Sequence, residues 1–195
     1  MSLYLSRLEI PLEHLLRHKL TDDYAIHQLV YRMCLAPDQN RDFLYYVAHT
    51  PYGGVQIQIQ SRRIPNDSGI GRLSTKEIPE SFFSFNRYSF LVRIRPVCKA
   101  EGKVTRVLYR TEEIIGWLCK RGDMLGVRFL QETMDKQRAD ELSFKDNGRH
   151  ITITYADVTG VLEVVDRSKF LDAVGNGIGG SKGFGLGLLQ LKPVK

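Results

Sequence analysis

Segments with the two-residue period of a strand and segments with the 3.6-residue period of a helix follow one another along these 195 residues in an order that occurs twice. The first run opens on "LYLSRLEI", ended by Pro11. A helix capped by Thr21 or Asp22 follows, with Ile26, Leu29, Val30 and Met33 as its apolar stripe. "YVAHT" and "VQIQIQ" then make a hairpin through Tyr52-Gly53-Gly54, with Val55, Ile57 and Ile59 on one face and Gln56, Gln58 and Gln60 on the other. A mixed stretch from Pro65 to Phe85, with room for at most a short helix, leads to the strand "YSFLVRIRP". The second run has "VTRVLY", the helix "TEEIIGWLCK" with Thr111 as its cap, and the strands "LGVRFLQETM", "HITITY" and "GVLEVVD". The helix "RSKFLDAV" and a closing strand "FGLGLLQL" complete it. Strand, helix, two strands, helix, strand is the split βαβ pattern, so the chain is expected to be α+β with two tandem ferredoxin-like (βαββαβ) domains. The turn "KAEGK", Lys99 to Lys103, is expected to divide them into residues 1–98 and 99–195, and "KQRADELSFKDNG" reads as a loop.

Such a fold hosts many activities, so function rests on particular residues. No apolar run reaches the roughly 18 residues of a membrane span, and the cytoplasm is the expected location. Cys34, Cys98 and Cys119 are too scattered for a disulfide framework or a thiolate zinc site, and reduced, packed thiols are expected. "HLLRH" spaces His14 and His18 one helical turn apart but lacks the glutamate of H-E-x-x-H, so neither metal nor cofactor is expected. The net charge of +6 is concentrated. From Asn86 to Arg110, Arg87, Arg93, Arg95, Lys99, Lys103, Arg106 and Arg110 face one acid, Glu101, an excess equal to that of the whole chain. That is the footprint of a polyanion-binding arm, although a solvated basic face has the same composition.

"GNGIGGSKGFGLG", residues 175–187, satisfies G-x-G-x-x-G, yet a helix precedes it and a strand follows, the reverse of a dinucleotide site. A P-loop fails too, because Lys182 follows Ser181 instead of preceding it. What remains is a glycine loop with one cation, with Gly183, Gly185 and Gly187 expected on one face of a strand. Two readings fit it: a tight turn packed between the halves, or a grip on a phosphate backbone. On the first helix Tyr24, His27 and Tyr31 share a side away from the apolar stripe. An ordinary surface histidine satisfies this pattern. So does an imidazole that moves protons in a metal-free RNA cleavage, in which the 2′-hydroxyl is an internal nucleophile.

Four stretches, "YAIHQLVYRM", "FLVRIRP", "TEEIIGWLCKRG" and "GVLEVVDRSKFLDAVGNGIGGSKGFGLGLLQL", resemble the CasE family, the CRISPR RNA-processing endoribonucleases of the type I-E Cascade system. The resemblance runs from the first strand to the last. It implies two ferredoxin-like domains that bind the stem-loop of a CRISPR repeat RNA and cut at the base of the stem without a metal. The products would be 5′-hydroxyl and 2′,3′-cyclic phosphate ends, and the partners the mature crRNA and other Cascade subunits. It makes Tyr24 and His27 catalytic. Its RNA-binding loop falls on Gly177, Gly179, Gly180, Ser181, Lys182, Gly183 and Gly185, with Lys182 offsetting phosphorane charge or only binding. Its stem-contacting hairpin falls on Arg93, Arg95, Lys99, Lys103, Arg106 and Arg110. The rival from another class is a non-catalytic RNA-binding subunit, which would have no need of both Tyr24 and His27. A metabolic nucleotide-binding protein rests only on the literal glycine pattern.

Overall fold

The computed structural model describes residues 2–35, 41–99, 105–146 and 149–194. The first sheet contains β1 (Tyr4–Ile10), β2 (Phe43–His49), β3 (Val55–Ser61) and β4 (Arg72–Glu77), in the order β2-β3-β1-β4 with every neighbour antiparallel. Two helices lie between β1 and β2. The short α1 (Leu12–Arg17) starts behind Pro11 and was not foreseen; α2 (Asp23–Cys34) is the expected one. Asp22 caps α2 by accepting from the Ala25 amide at 2.7 Å. Its stripe of Ile26, Leu29, Val30 and Met33 packs on Leu8, Ile10, Val55, Ile57 and Ile59 to form the first core.

β5 (Arg87–Ile94), β8 (Val127–Asp146), β9 (Arg149–Val164) and β10 (Leu189–Pro193) form the second sheet, in the order β10-β5-β9-β8. Counted within each half, both sheets follow the order 4-1-3-2, the ferredoxin-like topology. A small hairpin, β6 (Val97–Lys99) with β7 (Thr105–Val107), leaves β5 and leads to α3 (Thr111–Cys119) and α4 (Gly122–Leu125); α5 (Arg167–Asn176) joins β9 to the glycine loop. Ile114, Ile115 and Leu118 of α3 and Phe170 and Val174 of α5 pack on Phe90, Val92 and Ile94 of β5 to build the second core. Among the described residues no helix is long and apolar enough to cross a membrane. Burial, reinforced by Asp42, pushes the Cys34 thiol up to about 12, and it stays protonated at neutral pH.

The structure corrects the sequence reading in several places. The strand "YSFLVRI" pairs with β9 and β10, so the sheets part between Glu77 and Arg87 and not at Lys99–Lys103. The fourth strand of the first sheet is β4, which is mostly exposed; an edge strand wetted on both faces carries no hydrophobic alternation to read. Arg110, not Thr111, occupies the cap position of α3. "HITITY" and "GVLEVVD" belong to one strand, and most of "KQRADELSFKDNG" lies in β8. Register shifts between Leu130 and Asp135 and between Lys136 and Arg138 break its alternation. β10 is shorter than expected: Gly183, Gly185 and Gly187 precede it, in a loop with a 3₁₀ turn at Lys182–Phe184.

One buried ion pair joins the halves. Arg93 on β5 faces Asp157, its cross-strand partner on β9, and donates to both carboxylate oxygens at 2.7 and 2.8 Å. It also donates to the Val47 carbonyl of the first half at 3.1 Å, and its guanidinium sits between the rings of Tyr46 and Tyr155, 4.4 and 4.2 Å from their centroids. Tyr46 closes the circuit by donating to Asp157 at 3.1 Å. Burial works against the arginine charge, and the Asp157 hydrogen bonds and attraction more than offset it, so its pKa is held above the ordinary guanidinium value. Elsewhere along the joint Gln60 donates to the Val174 carbonyl at 2.6 Å. Removing one partner of such a pair strands the other charge, so Arg93→Ala is expected to lower the unfolding free energy by about 3–5 kcal/mol in urea titrations. Arg106→Ala, which breaks an exposed pair with Glu113, should leave the urea midpoint nearly unchanged.

Candidate active site at the joint between the halves

The glycine loop of the second half lies against α2 and β2 of the first. Gly177 ends α5 with φ 75°, and Gly179, Ser181, Gly185 and Gly187 also have positive φ, so the chain coils tightly before β10. The Ile178 amide donates to the Gly187 carbonyl at 2.9 Å, and the Gly187 amide donates to the carbonyl of Arg93 at 2.7 Å. The arginine that joins the sheets therefore also anchors the loop. Contact excludes a side chain at Gly177, Gly183, Gly185 and Gly187, and the middle two meet tyrosines of the first half. A Cβ on Gly183 would lie 2.8 Å from the Tyr31 hydroxyl, and one on Gly185, whose φ is 80°, would lie 2.9 Å from the Tyr45 ring.

That close approach brings the Gly183 carbonyl to His27, 2.7 Å from Nδ1. A carbonyl oxygen only accepts, so Nδ1 carries the proton and Nε2 is the nitrogen that takes one up. The buried Tyr45 hydroxyl donates to the same oxygen at 3.0 Å. Burial pushes that phenol far above its ordinary range, so it remains a donor. Around the imidazole stand Tyr31 at 4.2 Å, Phe184 of the loop at 4.8 Å and Tyr24 at 5.6 Å between ring centroids. Tyr24 stacks in turn on Phe144 of β8 at 5.5 Å, and Phe144 on Phe184 at 4.9 Å. Asp23, beside Tyr24, lines a cavity of about 90 Å³ at the joint. Burial raises its pKa, against the pull of His49 and Arg93.

The residues picked from the sequence fare differently. Tyr24 and His27 are half-buried; His27 meets Gly183, and Tyr24 stacks between His27 and Phe144. Gly179 and Gly180 are exposed, Ser181 and Lys182 half-exposed, and Gly177 and Gly185 buried as parts of the joint. Burial lowers the Lys182 pKa, and Arg41 adds to this. Arg93, expected on the arm, is instead the buried joint residue: β5 is a central strand, and Arg93 points at its acidic neighbour Asp157 rather than at solvent. The charge count overstated the basic surface as well, because Arg87 is paired with Glu163 and Arg106 with Glu113. Arg95 is half-buried, with a Nε that has no hydrogen-bond partner among the described residues, and Arg110 is exposed. Lys99 ends β6, and Lys103 lies outside the described residues. Sequence reading passed over Tyr45, Phe144 and Phe184. Only Phe184, an aromatic among glycines, carried a signal.

Two ferredoxin-like halves with a histidine held at their joint by a glycine loop define a class of protein. A family profile described as "CRISPR associated protein" matches residues 3–193, and the chain belongs to that family. The CRISPR system Cascade subunit CasE of Escherichia coli (strain K12) is 26% identical over 190 residues, spanning 89% of this chain and 93% of that protein. Among solved structures, Thermus thermophilus Cse3 bound to an RNA representing a pre-cleavage complex superposes with a TM-score of 0.83 at 21% identity, over 99% of this chain and 100% of that one. Cas6e from E. coli K-12 superposes with a TM-score of 0.75 at 24% identity, over 98% and 100%.

Tyr45 and His27 share one carbonyl, so the phenol helps to hold the oxygen that orients the imidazole. Tyr45→Phe removes one of these two bonds and is expected to lower the unfolding free energy by about 0.5–1.5 kcal/mol in urea titrations, and an unchanged urea midpoint refutes the contribution.

Proposed function

We propose that this protein is an endoribonuclease that binds the stem-loop of a CRISPR repeat RNA and cuts precursor crRNA at the base of the stem, without a metal. It would then stay on the mature crRNA as a subunit of Cascade, in the cytoplasm where the transcript is made. The observation that carries the reading is the hydrogen bond from His27 Nδ1 to the Gly183 carbonyl, which makes Nε2 the proton acceptor. The relatives support it: the E. coli protein is a Cascade subunit, and the T. thermophilus structure holds an RNA representing a pre-cleavage complex.

In this reading His27 Nε2 takes the proton of a ribose 2′-hydroxyl as the 2′-oxygen bonds to the adjacent phosphorus. The bond from phosphorus to the 5′-oxygen breaks, and that oxygen gains a proton, leaving 5′-hydroxyl and 2′,3′-cyclic phosphate ends. The nucleophile is internal to the RNA, so no metal-bound water is needed. Tyr24, one helical turn from His27 and stacked beside it, aligns the ribose or protonates the leaving oxygen. Gly179, Gly180, Ser181 and Lys182 face the RNA from the loop, with Gly183 turned to His27 and Gly177 and Gly185 shaping the turn. Binding of the stem is assigned to Arg95, Lys99, Lys103, Arg106 and Arg110. A-form RNA hides its base edges in a deep major groove, so recognition of the stem rests on phosphates and shape.

His27→Ala should slow single-turnover cleavage of a cognate repeat hairpin by about 10²–10⁴-fold with little loss of affinity, and wild-type cleavage should persist in EDTA. Wild-type rates from His27→Ala, or inhibition by EDTA, would overturn the mechanism. Arg110→Glu should weaken hairpin binding and flatten its salt dependence, measured by filter binding across salt concentrations.

A further inference from the structure

Arg41, from the first half of the molecule, reaches Gly183 of the glycine loop, the residue that follows Lys182. Arg41 stands two residues before β2, and Lys182 opens the 3₁₀ turn of the glycine loop. A Cβ on Gly183 would lie 3.4 Å from Arg41 Nη1 and 2.8 Å from the Tyr31 hydroxyl, so two donors flank the residue whose carbonyl holds His27. Among the described residues neither Arg41 nor Lys182 has a carboxylate partner. The acid next to Arg41 in the chain, Asp42, is committed to Arg63 through two hydrogen bonds of 2.9 Å. Lys182 is half-buried, and the Arg41 charge adds to the burial that disfavours its ammonium form. Two cations thus act on one another with no carboxylate paired to either among the described residues, and a ligand anion relieves that repulsion.

We propose that Arg41 and Lys182 form the binding site for the scissile phosphodiester, Arg41 offering its planar fork to the non-bridging oxygens and Lys182 a point charge. The assignment rests on the endoribonuclease reading. It makes Arg41 a catalytic residue that stabilises the charge developing on the phosphorane, distinct from the arm that holds the stem.

The test compares wild type, Arg41→Ala and Arg41→Lys on a repeat hairpin under single-turnover conditions at saturating protein, with hairpin affinity measured by filter binding. Arg41 is exposed, so folding should be unaffected, and matching urea midpoints check this. Arg41→Ala should cut about 10²-fold more slowly with nearly unchanged affinity, because the stem contacts remain, and Arg41→Lys should recover part of the rate. Sulfur in place of a non-bridging oxygen at the scissile phosphate should slow wild type more than Arg41→Ala. Wild-type cleavage by Arg41→Ala, or equal sulfur effects in both proteins, overturns the proposal and leaves the endoribonuclease reading standing. A wild-type protein that leaves the hairpin intact overturns that reading itself, and the scissile-phosphate assignment with it.

Discussion

The site depends on a buried charge. Arg93 occupies a central strand of the second sheet, where desolvation disfavours a guanidinium, and three kinds of contact keep it charged. These are the bidentate bond to Asp157, the carbonyl of Val47 across the joint, and the faces of Tyr46 and Tyr155. Because Val47 and Tyr46 belong to the first half, the charge is satisfied only when the halves are docked in one orientation. Its backbone carbonyl then receives the Gly187 amide, so the same residue fixes where the glycine loop runs. An apolar joint would tolerate sliding; a buried ion pair with directional partners does not.

Glycine in the loop serves contact more than flexibility. The loop reaches α2 closely enough for its Gly183 carbonyl to hold His27 and to accept from Tyr45, and a side chain at Gly183 or Gly185 would meet Tyr31 or Tyr45 first. Of the two readings that the sequence left open, the packed turn describes part of the loop. Gly177 and Gly185 are buried in the joint, while Gly179, Gly180, Ser181 and Lys182 remain accessible. A backbone carbonyl here does for the histidine what a carboxylate does in other proton-transfer sites: it sets the tautomer and holds the ring.

Most of the fold was legible because local pattern and tertiary role agree. The α2 stripe and the alternation of "VQIQIQ" appear as read, and of the two cap positions offered, Thr21 and Asp22, the helix uses Asp22. What escaped was whatever lacked a burial pattern of its own. β4 is an exposed edge strand, β8 is broken by register shifts, and β5 was given to the wrong half because a strand does not declare which neighbours it will pair with. Arg93 misled for a related reason. One arginine in a run of basic residues looks like surface charge, and only the register opposite Asp157 shows it to be interior. Tyr45 and Phe144 read as ordinary core aromatics, since nothing local distinguishes a buried phenol that donates to a loop carbonyl from one that merely packs.

By itself, the sequence determined the order of the elements, the apolar faces that build both cores, the pairing of Tyr24 with His27 on one helix, and a glycine loop that follows a helix and precedes a strand, the reverse of a dinucleotide fold. These are short-range properties, set by periodicity, capping and backbone freedom within a few residues. Tertiary structure alone decided that His27 meets Gly183, 156 positions away, that Arg41 reaches the same glycine, and that Arg93 turns inward. Such contacts depend on how two sheets dock, and docking is settled by the summed satisfaction of buried polar groups from both halves, which no single stretch of chain contains.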